Sequence, residues 1–236
     1  MTRVEQAVLA FLVFFVALGA YFAYVDEAFF RDTYTVEDGF TEWCTFLALF
    51  AAFVLCARRL LTLWSTRSPR FLFIVGFLAL FCFFGAGEEI SWGQRIVGFE
   101  SPEFFVDNNS QQEAGIHNLE ITIGDKSYKL NRIVFGRGLA IMFFIYLAVM
   151  TPLYRRVPAV TSFIDGFGIP MPRNYQIVAY LFVVAVAELL IDSSKRGEIT
   201  EFGGSLVFML NVIYPQNSTI FRSAESTSAE STSADK

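Results

Sequence analysis

The feature that most constrains this chain is the recurrence of apolar runs long enough to cross a bilayer. Val4 to Val25 is a 22-residue stretch of dominantly apolar character, and a hydrocarbon core of about 30 Å needs roughly 20 such residues in a helix. Phe40 to Ala57, closed by Arg58-Arg59, repeats the pattern. So do Phe71 to about Val97, Leu139 to Tyr154 (closed by Arg155-Arg156) and Tyr175 to Ile191. One more run, Phe202 to Tyr214, is only 13 residues, the length of an interfacial or docked helix rather than a span. The expected fold is an all-α integral membrane protein with five transmembrane helices plus this short C-terminal helix. Residues 1–222 form one polytopic domain. The tail, 223–236, repeats Ser-Ala-Glu-Ser-Thr and has too little apolar surface to order itself. A cleaved signal peptide is the alternative reading of the first run, although the run exceeds the roughly 7–15 residues of a signal core.

Composition narrows the function classes. Charged residues are 17% of the chain against about 25% in soluble domains, and the net charge of −5 offers nucleic acid no basic surface. Cys44, Cys56 and Cys82 all lie in apolar runs and are expected to pack as small hydrophobes. His117 is the sole histidine, which excludes multi-histidine zinc sites.

Gly87-Glu88-Glu89-Ile90-Ser91-Trp92-Gly93-Gln94-Arg95 stands at the end of the third run and places two acids where hydrocarbon gives way to water. An acid within a membrane helix costs about 2.5–3.5 kcal/mol and marks a functional site by default. In a helix, Glu88, Ser91, Trp92 and Arg95 share one side and Glu89 turns about 100° away. Asp38, Thr41, Glu42 and Thr45 form a polar stripe at the entry to the second run, and Glu188 and Asp192 stack at the exit of the fifth. The long polar loop, about 98–136, carries Asn108, Gln111, Glu113, His117 and Asn118, with a hairpin expected from Ile121 to Leu130. Plainer readings stand beside these: interfacial carboxylates paired with Arg95, a helix-dipole pair at Asp38 and Glu42, belt residues at Trp43 and Trp92, and a surface histidine.

Lysine and arginine counts give the orientation. Arg58, Arg59, Arg67 and Arg70 sit in one connection and Arg155, Arg156 and Arg173 in another, so these and the amino terminus are expected to be cytoplasmic. Glu42, Glu88, Glu188 and the long loop then share the opposite face.

Glu37-Asp38-Gly39 with Glu42-Trp43, the Gly87 to Arg95 motif, and Asn108…Gln111…Glu113…His117-Asn118 together resemble a family of uncharacterised bacterial multi-pass membrane proteins, over roughly residues 35–120. That family carries no established activity. The resemblance therefore implies a bacterial inner-membrane location and no reaction. A weaker similarity is to the alkaline ceramidase and seven-helix membrane hydrolase superfamily, whose enzymes hold zinc with three histidines where this chain has one.

The functional expectation is a carboxylate and histidine site at the extracytoplasmic face. Glu88, Glu89 and His117 are the candidate catalytic groups. Trp92, Gln94, Arg95, Asn108, Gln111, Glu113 and Asn118 are the candidate substrate-binding groups. Glu42, Glu88, Glu89 and His117, supported by Asp38 and Glu188, would hold a divalent metal ion. The implied activity is a metal-dependent hydrolase or transferase acting on a lipid-like substrate. An ion- or proton-coupled transporter and an accessory subunit of a membrane complex are the alternatives.

Overall fold

The computed structural model of the protein describes residues 1–37, 39–109, 112–116, 119–123, 126–129 and 139–222, and these form helices, their connections and one small hairpin. Helix α1 is Arg3–Val25, α2 is Phe40–Leu63 and α3 is Pro69–Glu89. These three are long and apolar enough to cross a membrane. Thr2 starts α1 in a capping box with Glu5. Pro69 starts α3, where a missing N–H costs nothing.

Helix α4 is composite, with α-helical Leu139–Phe144 and Thr151–Arg156 joined by a π-helical Ile145–Met150. Pro152 has no N–H to continue the ladder, and one residue earlier the Thr151 hydroxyl joins its own N–H in donating to the Tyr146 carbonyl, at 2.8 Å. Helix α5 is Pro158–Gly166, α6 is Asn174–Leu190 and α7 is Arg196–Ile213. At 17 residues α6 is short for a span. By contrast α7 is longer than the run beginning at Phe202, with 18 residues. Its first two turns carry Arg196, Glu198 and Glu201, which end the hydropathy signal without ending the helix.

The expected hairpin is present as β1, Glu120–Ile123, antiparallel to β2, Lys126–Lys129, with Glu120 opposite Lys129. Gly124 and Asp125 at its turn and Leu130 lie outside the described residues, as does the 223–236 tail.

Helix α3 packs on α2, α7 on α2 and α6, and α1 on α6 and α7. One apolar core joins Leu12, Phe15 and Val16 of α1 to Val183, Ala187 and Phe202 of α6 and α7. A second joins Ala52 and Cys56 of α2 to Val75, Ala79 and Cys82 of α3. Cys56 and Cys82 are buried free thiols and Cys44 is half-buried, so all three pack as side chains and not as bridges. Large apolar groups cover the outward faces, with Phe73 71% and Leu189 79% exposed, a surface suited to lipid and not to water.

The tightest helix approach is at Gly203, where a Cβ would stand 2.5 and 2.7 Å from the two methyl carbons of Val183. Gly203→Ala is expected to lower the melting temperature through overpacking of about 1–3 kcal/mol. Adding Val183→Ala should restore most of the loss, as measured by thermal unfolding in detergent, and additive losses would refute the contact.

The two ends of the bundle differ chemically. At one, the Arg59 guanidinium donates to the Val212 carbonyl at 2.7 Å, and Arg155 donates to Gln216, Asn174 and the Pro172 carbonyl. Here the fully buried Glu5 accepts from the Tyr175 hydroxyl and from Arg173 at 3.3 Å, tying the start of α1 to that of α6. The opposite end gathers Glu42, Glu88, Glu89, Glu198 and Glu201.

Candidate carboxylate site at the acidic end of the bundle

Three consecutive residues in left-handed conformation end α3: Ser91 (φ 46°), Trp92 (φ 54°) and Gly93 (φ 75°). The first two are conformations that cost a non-glycine residue energy, and what they achieve is a reversal. Trp92 folds back over Gly87, where a Cβ would stand 2.8 Å from the indole ring. Its Nε1 donates to Glu88 Oε1 at 2.6 Å. The other oxygen of Glu88 accepts from the Ile116 N–H at 2.6 Å, and Gly115 lets the loop come that close, since a Cβ there would lie 3.3 Å from Glu88 Oε2.

The rest of the motif clamps the same loop. Gln94 Nε2 donates to Ser101 Oγ at 2.7 Å and Gln94 Oε1 accepts from the Ala114 N–H at 2.8 Å. Ser101 Oγ in turn donates to the Gln112 carbonyl at 2.6 Å, and the Ser91 hydroxyl donates to Glu113. Asn109, 5% exposed, donates to the Gly115 carbonyl at 2.8 Å. The neighbouring Asn108, expected to bind substrate, faces outward and donates to Phe104 O of its own turn. The structure thus gives Glu88, Trp92, Gln94 and Glu113 the work of holding residues 112–116 across the end of α3.

Glu89 is different. Its half-buried carboxyl makes no hydrogen bond among the described residues and interacts electrostatically with Glu201, Glu42, Glu198 and Glu88, in that order. Glu42, half-buried on α2, feels Glu198, Glu37, Lys195 and Glu113. Glu201 feels Glu198 and Glu42. Below Glu42, Thr41 and Thr45 are buried, and the Thr41 hydroxyl donates to the Tyr34 carbonyl at 2.8 Å. The polar stripe expected on α2 is therefore turned inward, while Trp43 faces out and packs against Phe46.

Lys195, in the 191–195 connection, is a cation that reaches this cluster, at 2.7 Å from Glu37 and 3.3 Å from Glu198. Partial burial pulls its pKa down, but the bond to Glu37 and the fields of Glu198 and Glu37 prevail and hold it above the ordinary value of 10.5. The bridge's contribution to stability is then intact below about pH 10.5 and lost as pH rises through the elevated pKa. Unfolding followed from pH 9 to 11.5 should show a steeper alkaline loss in the wild type than in Lys195→Met.

The expected sites divide accordingly. Glu42, Glu88 and Glu89 come to one end of the bundle. Glu188 does not join them: it is 55% exposed and pairs with Arg196 at 3.4 Å. Glu198 and Glu201, at the i, i+3 spacing that opens α7, take its place. Asp38, Gln111, His117 and Asn118 lie outside the described residues, as does the Arg95 side chain. Among the described residues no three His, Cys, Asp or Glu side chains are arranged to hold a metal ion, so the ligand set expected from Glu42, Glu88 and Glu89 is not assembled there. Comparison with protein-family profiles, curated proteins and solved structures finds no match to the chain.

Proposed function

We propose that the protein is a polytopic membrane enzyme, a hydrolase or transferase that acts on a lipid-like substrate by acid–base chemistry at its acidic end. In this reading α4 and α6 complete five crossings with α1, α2 and α3, and α7 runs beside them between the two ends. The arginines at the basic end favour its placement on the cytoplasmic side, which puts the carboxylates at the extracytoplasmic face of a bacterial inner membrane.

One observation supports the chemistry above all: Glu89 stands among four other carboxyls and has no hydrogen bond of its own among the described residues. Acids held together away from bulk water need a counter-charge, and a proton is the smallest one available. Glu89 is accordingly the general acid or base, and Glu42, Glu198 and Glu201 set its protonation. Glu88 is a positioning residue, with both oxygens engaged by Trp92 and Ile116. Lipid access from the side suits the apolar outward faces. A divalent ion is not required, because protons can balance the cluster.

Transport is less well supported. Beneath the carboxylates lie Ala48, Ala52, Val75, Ala79, Val183, Val186 and Leu206, all buried and apolar, and a conducted ion would need polar groups at that depth.

The test is lipid turnover by the purified protein in nanodiscs of phosphatidylethanolamine and phosphatidylglycerol, in water enriched in oxygen-18, read by mass spectrometry. Glu89→Gln should lower the rate by about 10²-fold or more, whereas dialysis against a chelator should leave it unchanged. Absence of any lipid conversion by the unaltered protein, or equal conversion by Glu89→Gln, removes this reading.

A further inference from the structure

The basic end of the bundle holds a second group of charges, of the other sign. Arg58, Arg59, Arg67 and Arg70 surround the α2–α3 connection, and Arg155 and Arg156 close α4. None of the six forms an ion pair among the described residues, whereas Arg31, Arg173, Lys195 and Arg196 each have a carboxylate within 3.4 Å. The positive-inside rule accounts for positive charge here but not for its kind. Lysine and arginine serve that rule equally, yet every cation from Arg58 to Arg70 and from Arg155 to Arg173 is an arginine.

Two of these arginines are also held in place. Arg67 lies over the Phe71 ring, 5.4 Å from its centroid, and Arg70 lies over the Phe167 ring at 5.5 Å. The two rings belong to one surface. Phe71, at the start of α3, packs against Gly168, where a Cβ would stand 2.9 Å from its ring. Phe167, the next residue, meets the exposed Phe163 of α5 with ring centroids 4.6 Å apart. A guanidinium stacked by its face keeps the N–H groups of its edge for another partner. Arg70 is exposed and makes no hydrogen bond among the described residues, and half-buried Arg67 makes one of 3.4 Å, to the Arg222 carbonyl. Asp165, the acid nearest in sequence to Phe167, pairs with no arginine and accepts instead from Tyr154 and Asn217.

We propose that Arg67 and Arg70 bind the phosphate of an anionic phospholipid in the leaflet that the basic end faces, with its chains toward Phe163 and the apolar outward faces of the bundle. A phosphodiester presents two oxygens that the edge of a guanidinium meets with parallel hydrogen bonds, which the ammonium of lysine cannot match. Stacking on a ring fixes the side chain beforehand and so lowers the entropy lost on binding. A zwitterionic lipid carries the same phosphate but adds a cation, which the unpaired arginines repel. Nucleic acid and acidic peptides bring anions too, but they gain nothing from the exposed aromatic surface beside them. The inference rests on the placement of the bundle in a membrane and not on the turnover proposed above.

The test is native mass spectrometry of the full-length protein, released from detergent micelles and titrated with phosphatidylglycerol or with phosphatidylcholine of the same chains. Phosphatidylglycerol should bind about tenfold more tightly or better. Arg67→Gln with Arg70→Gln should weaken it about 30-fold, at roughly fivefold for each arginine near an anionic lipid. Arg67→Lys with Arg70→Lys keeps the charge, and with it the topology, but should still lose about fivefold. Arg58→Gln with Arg156→Gln removes the same charge from side chains that lie over no ring among the described residues, and should change the affinity less than about threefold. Melting without added lipid establishes that each variant folds. Glu89→Gln should leave this binding unchanged while lowering turnover, so the two proposals fail separately. Equal binding of the two lipids, undiminished binding by the folded Gln or Lys pair at 67 and 70, or an equal loss from the pair at 58 and 156 overturns the proposal. So does full displacement of the lipid by inorganic phosphate or by a poly-glutamate peptide, which would mark a site for soluble anions.

Discussion

Glu88→Ala is expected to release the loop over the end of α3 and to cost about 3–5 kcal/mol. The carboxylate is 8% exposed and receives the Trp92 indole and the Ile116 N–H, each at 2.6 Å. Hydrogen bonds to a charged group contribute roughly 1.5–3 kcal/mol each, and their loss strands a backbone donor beneath the loop. The effect should spread, because Trp92 covers Gly87 only while its nitrogen is held. Three measurements report it: a lower melting temperature, new protease cuts between residues 98 and 116, and a red-shifted tryptophan emission from Trp92. Glu88→Gln should fall between, since an amide keeps one acceptor oxygen but turns its NH2 toward the second donor. Unchanged proteolysis in Glu88→Ala would show that the loop is held by other means.

For the adjacent residue the expected sign is the opposite. Glu89→Gln should raise the melting temperature by a few degrees while abolishing whatever the site does. Its carboxyl has four carboxyl neighbours and no hydrogen bond among the described residues, so a neutral amide of the same shape breaks no bond and removes the repulsion present whenever Glu89 is ionised. Sites kept unstable for their function show this trade of stability against activity. The effect should shrink at acid pH, where protonation relieves the same repulsion in the wild type. A lower melting temperature in Glu89→Gln at neutral pH would mean that the carboxylate has a stabilising partner, and the role given to it here would fail.

These opposed expectations mark how far the sequence was legible. The apolar runs located α1, α2, α3, α4 and α6, since length and hydropathy are local properties, and missed α5. The 3.6-residue repeat also separated Glu88 from Glu89 by about 100°, and that rotation sends one into the loop and the other toward α7. What it could not give was which of the two would be spent on structure, because that depends on Ile116, 28 residues away. Helix α7 was misjudged for a physical reason. Hydropathy starts a helix where the charges stop, whereas its first turns carry Glu198 and Glu201 into a protein-lined site. The entry to α2 through Glu42 held the same clue, an acid in the first turn of an apolar helix. Whether Glu188 joins the site or pairs with Arg196 is open in the sequence, because its outward rotation becomes visible only when Arg196 is seen beside it. Glu5, hidden inside an apolar run, gave no sign that it would anchor α1 to α6.

The band of alanine, valine and leucine beneath the carboxylates has a consequence for energetics. In the function proposed above, a proton that reaches Glu89 comes from, and returns to, the compartment that the acidic end faces, so the electrical potential across the bilayer neither drives nor opposes the exchange. Reactions at this end should follow the acidity of the solution they face and be indifferent to an ionophore that collapses the voltage.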